Sequence, residues 1–122
     1  MIARRAFLAA FAVAAFFVAP GAREVRAHAR LLASTPAAGA TIPPDAGEFV
    51  LRFDEGTVLT SLRLFGPANG EVPLVRARDA TPAAEWRARY PTLAAGAHRL
   101  DWRALSADGH PIGGSLSFTV RT

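Results

Sequence analysis

The stretch SLSFTV, residues 115–120, alternates without a break between hydroxyl-bearing and apolar side chains. Successive side chains of a β-strand point to opposite faces, so this period predicts a strand that buries Leu116, Phe118 and Val120 on one side. Residues 99–104 repeat the pattern, with charged side chains between the apolar ones. These two stretches decide the fold class, because a helical period of about 3.6 residues would scatter their apolar side chains around the helix.

The same two-residue period recurs in other parts of the chain, most clearly over residues 48–53 and 61–65. Weaker strand candidates cover residues 29–33, 72–76 and 84–90. Short segments rich in glycine and proline separate these runs and are typical of tight turns. About seven short strands without an amphipathic helix predict an all-β fold, a small Greek-key β-sandwich or barrel.

The start of the chain has the composition of a secretory signal peptide. Arg4 and Arg5 precede an apolar stretch over residues 6–19. That stretch is shorter than the roughly 20 residues that a membrane-spanning helix needs. Small side chains further along would let a signal peptidase cut after Ala27, and His28 would then be the first residue of the exported protein.

The chain is therefore predicted to consist of a signal peptide, residues 1–27, and one domain, residues 28–122. The paired arginines of the leader are also typical of a twin-arginine export signal, so both export routes stay open. An uncleaved membrane anchor is the alternative interpretation of the leader. Export across the inner membrane predicts a periplasmic location for the domain.

Charge and sulfur content limit what the domain can bind. Four of the 14 basic residues and one of the ten acidic residues lie in the leader, which leaves the domain close to neutral. A basic surface for nucleic acid, or a charge run directed at lipid, is therefore not supported. The chain has no cysteine, and Met1 is its single methionine, so the domain contains no sulfur.

His28 would be an unusual metal ligand if cleavage made it the first residue. Its α-amine and its imidazole Nδ1 can bind one metal ion together and close a chelate ring. The reference pKa values, about 8 for the amine and about 6.5 for the imidazole, let both groups lose their protons near neutral pH. The alternative is that position 28 merely follows a cleavage site.

A second group of polar side chains lies in the stretch SADGHP, residues 106–111. Asp108 and His110 are two residues apart, which in extended chain places both side chains on one face. The stretch falls between two predicted strands, where loops commonly present ligands. The alternative is a surface turn in which Asp108 accepts hydrogen bonds from backbone N–H groups.

Together, His28, Asp108 and His110 offer an amine nitrogen, two imidazole nitrogens and a carboxylate oxygen. This set suits the tetragonal geometry of Cu²⁺, which also heads the stability order of the divalent first-row metals. Zinc accepts the same donors but prefers a tetrahedron. Cu⁺ prefers sulfur ligands, which the domain lacks. The donor set therefore favours Cu²⁺.

The arrangement of these residues resembles the CopC family of periplasmic copper-binding proteins. The resemblance rests on the His-Ala pair at residues 28–29, the stretch LRFDE at 51–55, the stretch SADGHP and the closing FTV at 118–120. It implies a β-barrel of cupredoxin-like or immunoglobulin-like topology. It also implies that one Cu²⁺ is held by the N-terminal histidine and the Asp-x-His pair, which correspond here to His28, Asp108 and His110.

Two departures from the family pattern bear on the metal site. Some members also bind Cu⁺ through a methionine-rich loop, but residues 67–82 contain no methionine, so we expect no Cu⁺ site. The family's Phe-Ser-Glu segment appears as Phe53-Asp54-Glu55. The resemblance makes Glu55 a candidate axial or outer group of the copper site, and a solvated turn residue is its alternative reading.

His98 has the same strand parity as Leu100 and Trp102, so its side chain should point inward. We therefore predict a hydrogen-bonded structural histidine rather than a ligand. Phe49, Trp86, Trp102 and Phe118 are predicted to belong to the core. We do not expect these aromatic side chains to form a stacking surface.

The resemblance predicts a monomeric copper carrier or buffer in copper homeostasis or resistance, with an inner-membrane copper transporter as its recipient, and not an enzyme. One alternative is a small copper-brace oxidase, because such enzymes also use an N-terminal histidine; turnover on chitin or cellulose would reveal it. The other is a metal-free structural β-sandwich. That protein would show the same thermal stability with and without copper.

Overall fold

The computed structural model describes residues 29–122, and within that range the regular elements are seven β-strands and one 3₁₀ turn at Pro67–Asn69. The strands are β1 (Leu31–Thr35), β2 (Thr41–Ile42), β3 (Gly47–Phe65), β4 (Glu71–Val72), β5 (Ala83–Tyr90), β6 (Gly96–Ser106) and β7 (Pro111–Val120). The predicted leader and His28 lie outside the described residues. In the part of the chain that is described, no helix is long and apolar enough to cross a membrane.

The strands form one sheet that curls into two layers. Its order is β1-β3-β6-β7-β2, and β4 and β5 also pair with β3. The first half of β3 pairs with β1 and β5, whereas its second half pairs with β4 and β6. Because β3 passes from one layer to the other, it joins the two layers directly. The all-β sandwich predicted from the alternating sequence is confirmed.

The long strand β3 replaces two strands expected from the sequence, over residues 48–53 and 61–65. The segment between them keeps the two-residue period, since Thr57 and Leu59 are both buried. The pairing register shifts once opposite β5 and once opposite β6. Such bulges bend a strand without ending it, so the chain changes layer within one strand.

The weaker strand candidates have mixed outcomes. The candidate at 84–90 is β5, extended by one residue, and the candidate at 29–33 begins and ends two residues later, as β1. Of the candidate at 72–76, only Val72 lies in a strand, β4, because Pro73 follows and has no N–H for the ladder; Val75 forms an isolated bridge with Arg89. Strand β2, which pairs in parallel with β7, is too short to show a period in the sequence.

The core lies between the first half of β3 and the strands β6 and β7. The ring of Phe49 contacts Phe118 with centroids 5.8 Å apart, and the ring of Phe53 contacts Trp102 at 5.2 Å. Both contacts bridge the layers. Phe49, Trp86, Trp102 and Phe118 are all buried, which confirms the prediction that they belong to the core.

Candidate metal centre

The loop that joins β6 to β7 is a tight turn closed by its own backbone. The Ser106 N–H donates to the His110 carbonyl at 2.9 Å, and the Gly109 N–H donates to the Ser106 carbonyl at 2.9 Å. Gly109 has a φ of +85°, in the left-handed region that glycine adopts without steric cost. The turn therefore fixes the backbone on both sides of Asp108.

A turn, and not the extended chain expected from the sequence, brings the side chains of Asp108 and His110 into contact. Nδ1 of His110 lies 3.0 Å from Oδ2 of Asp108, and the two side chains are 60% and 43% exposed. At this distance the contact is a hydrogen bond, in which the Nδ1–H of His110 donates to the Asp108 carboxylate. The bond holds the two candidate ligands side by side at the β6–β7 loop.

Ser106 is hydrogen-bonded to both residues of this pair. The sequence did not predict this role. Its side chain is buried, and its hydroxyl donates to Oδ1 of Asp108. The same hydroxyl oxygen accepts a hydrogen bond from the His110 N–H at 3.2 Å. A serine in a short polar turn commonly bonds to nearby groups, but its residue type alone does not show which groups it contacts.

The carboxyl of Asp108 is strongly acidic. The Ser106 hydroxyl and then the side chain of His110 stabilise its ionised form and lower its pKa from 3.8 to about 2. Asp108 is therefore fully ionised at neutral pH, the state in which a carboxylate binds a metal.

Asp54 and Glu55 have different positions. Asp54 contacts Arg30, because its Oδ1 accepts the Arg30 N–H at 2.8 Å. Glu55 is partly exposed on β3. Between residues 29 and 122, no group of three histidine or acidic side chains lies close enough to hold a metal. Glu55 therefore does not complete such a group with Asp108 and His110 in this arrangement.

Strand β3 connects the start of the described chain to this loop. Ala29 is buried, and Arg30 exchanges backbone and side-chain hydrogen bonds with Asp54. Three residues further along β3, Thr57 pairs with Ser106. The start of β1 and the β6–β7 loop thus lie along the same short segment of β3.

His98 lies at the other end of β6 and has a structural environment. Its side chain is 3% exposed, its Nδ1 lies 3.1 Å from the Gly96 carbonyl oxygen, and its ring stacks on Phe118 with centroids 5.4 Å apart. The prediction of an inward-facing, hydrogen-bonded histidine is confirmed.

Comparison with known proteins finds similarity to copper resistance proteins. The CopC domain model matches residues 31–121. Copper resistance protein C of Xanthomonas campestris pv. juglandis is 33% identical over 105 residues, which cover 78% of this chain and 81% of that protein. Copper resistance protein C of Escherichia coli is 34% identical over 107 residues, with coverages of 78% and 82%.

Two solved structures share the fold. CopC from Methylosinus trichosporium OB3b is 26% identical, with a TM-score of 0.64, over 77% of this chain and 94% of that one. PcoC from Escherichia coli, described as a methionine-rich copper resistance protein, is 33% identical with a TM-score of 0.60, over 78% of this chain and 100% of that one.

Proposed function

The chain belongs to the CopC domain family, and from this premise we propose that it is an exported protein that binds one Cu²⁺ and carries or buffers it in the periplasm. In this proposal, cleavage after Ala27 frees the amine of His28. The ion is then held by that amine, the His28 imidazole, Asp108 and His110.

The contact between Asp108 and His110 is the observation that carries the proposal. It supplies an ionised carboxylate and an imidazole nitrogen 3.0 Å apart on a closed turn. Rigid placement of ligands favours metal binding because little ordering remains to be done when the ion arrives. Nitrogen and oxygen donors in this combination suit Cu²⁺ better than Cu⁺.

The lack of sulfur supports a site for Cu²⁺ alone. PcoC is described as methionine rich, whereas the single methionine of this chain is Met1 and its cysteine count is zero. Soft thioether and thiolate ligands select Cu⁺. We therefore propose that this protein handles copper in its oxidised state.

The pairing along β3 supports the assignment of His28. His28 directly precedes Ala29 in the sequence, and the next residue, Arg30, is hydrogen-bonded to Asp54. Asp54 is three residues from Thr57, which pairs with Ser106, the last residue of β6 before the β6–β7 loop. Glu55 lies on the same segment of β3, and we assign it a role beside the metal, outside the direct ligands.

The exposure of the candidate ligands supports transfer of copper to a partner. The side chains of His110 and Asp108 are 60% and 43% exposed at the tip of a hairpin. An ion bound there is accessible to a ligand of a second protein without opening of the core. We propose an inner-membrane copper transporter as that recipient and a monomer as the carrying form.

The proposal is tested by isolating the exported protein, determining its first residue and titrating it with Cu²⁺. We expect His28 at the N-terminus and one bound ion per chain. The paramagnetic resonance spectrum should be that of a tetragonal nitrogen–oxygen site, and the thermal midpoint should rise by mass action. A protein that begins at His28 but binds no stoichiometric Cu²⁺ contradicts the proposal.

A further inference from the structure

A groove of about 530 Å³ lies between the second half of β3 and the segment that follows β4. Its charged lining residues are Arg63, Glu71, Arg76 and Arg78. None of them belongs to the candidate metal centre. The groove therefore lies on a different part of the surface from the candidate metal centre.

The acidic side chain in this groove is already neutralised. Arg63 donates to both carboxylate oxygens of Glu71, with Nε–Oε2 and Nη2–Oε1 distances of 3.1 and 2.8 Å. In this bidentate contact both carboxylate oxygens accept a hydrogen bond from the guanidinium. Glu71 consequently offers little negative charge to the other arginines of the groove.

The remaining two arginines have no acidic partner within residues 29–122. Arg76 is half-buried, and its Nη1 is inaccessible to solvent without a hydrogen-bond acceptor. Burial, and then the neighbouring charge of Arg78, lower the pKa of the Arg76 guanidinium. Two guanidinium groups thus line one groove without a counter-charge.

The segment that carries these arginines is anchored on both layers. Val72 of β4 pairs with Leu64 of β3, and Leu74 packs against the core. Val75 then exchanges two backbone hydrogen bonds with Arg89 of β5, of 3.0 and 2.8 Å. Arg76 follows this anchor directly, so the fold holds its backbone in place.

We propose that this groove is a binding site for a small multivalent oxyanion, a phosphate or a dicarboxylate, held by Arg76 and Arg78. Guanidinium groups bind the paired oxygens of both kinds of anion through parallel N–H donors. Thr60 and Ser61 line the same groove, and both carry hydroxyl groups, which are hydrogen-bond donors. An anion at the accessible edge of Arg76 supplies the counter-charge that residues 29–122 do not provide. The site is independent of copper.

The test uses the copper-free exported protein and two probes, inorganic phosphate and succinate, at constant ionic strength. Calorimetric titration and the thermal midpoint are measured for the wild type, for Arg78→Gln and for the double variant Arg76→Gln/Arg78→Gln. Arg103→Gln/Arg121→Gln is the matched control, because it removes the same charge from two exposed arginines that have no acidic partner in the described range.

We expect saturable binding of at least one probe to the wild type and to the control. The same probe should bind the double variant at least tenfold more weakly, and Arg78→Gln should fall between them without loss of fold, because its side chain is exposed. Preference for phosphate or succinate identifies the source of the oxyanion. Wild-type protein that binds neither probe, or equal binding by the wild type and the double variant, overturns the proposal.

Discussion

The two ends of strand β6 carry the same residue type in opposite environments. At one end, His98 is 3% exposed and stacks on Phe118. Just beyond the other end, the His110 side chain is 60% exposed and contacts the carboxylate of Asp108. A buried imidazole without a charged partner contributes packing, whereas an exposed imidazole beside an ionised carboxylate can bind a metal ion. The environment of each ring therefore separates a structural histidine from a candidate ligand.

The largest effect is expected for His110→Ala, which removes one candidate ligand. Loss of a group that merely orients a metal ligand lowers metal affinity by about 10–100-fold. Loss of a direct ligand should cost more, so we expect His110→Ala to weaken Cu²⁺ binding by more than about 100-fold. The copper-free protein should keep its stability within about 0.5 kcal/mol, because the side chain is exposed. Competition titration with a copper chelator measures the first quantity and urea unfolding the second. Unchanged affinity would remove His110 from the site.

His98→Ala should have the reverse profile. Truncation of a buried ring leaves a cavity beside Phe118, and comparable core truncations cost about 2–4 kcal/mol of unfolding free energy. Urea unfolding of the copper-free protein measures this loss. Cu²⁺ affinity should change by less than about threefold, because the two histidines lie at opposite ends of β6. A large loss of affinity in folded His98→Ala would break the distinction between them.

A smaller effect concerns acid stability of the copper-free protein. The pKa of Asp108 is about 2 in the folded state, below its usual 3.8, so its ionised form stabilises the fold above about pH 4. That contribution should disappear as the pH falls from about 4 to about 2. Asp108→Asn should therefore lose less stability than the wild type over this interval in urea unfolding.

Asp45→Asn is the control for the acid experiment, because Asp45 is exposed and distant in sequence from the loop. It should lose stability over the interval as the wild type does. An identical acid response of Asp108→Asn and the wild type would show that the Ser106 and His110 contacts do not stabilise the carboxylate.

The smallest effect is expected for Glu55→Gln. Loss of a group that contacts a metal ligand, but not the metal, lowers metal affinity by about 10–100-fold. Because Glu55→Gln keeps the shape of the side chain, we expect Cu²⁺ affinity to fall by about tenfold or less. The same chelator competition measures the change. A loss equal to that of His110→Ala would show that Glu55 binds the ion directly.

The sequence predicted the features that follow from a two-residue period. The all-β class, the buried aromatic residues and the inward side chain of His98 all follow from strand parity. It did not predict that β3 would run as one strand, because a bulge depends on pairing with both neighbours rather than on local composition. Strand order also depends on pairing between distant segments, so the sequence did not show which strands lie next to each other.

The candidate site was predictable where its residues are close in sequence. Asp108 and His110 share one short turn, and the structure brings them together. Ser106 was overlooked because its role depends on the closure of that turn, which its residue type alone does not reveal. The sequence did not reveal the groove arginines either. Within residues 29–122, Arg76 and Arg78 have no acidic partner, and this is visible only once the structure shows Arg63 bonded to Glu71.

The central claim is that proteolysis creates a ligand, the amine of His28. It is tested most directly by comparing Cu²⁺ affinity of the protein that begins at His28 with that of a protein carrying one additional glycine before it. The addition keeps every side chain but moves the amine away from the chelate ring. We predict that affinity falls by more than about 100-fold, since one of few nitrogen donors is lost. Equal affinity of the two proteins would contradict the claim.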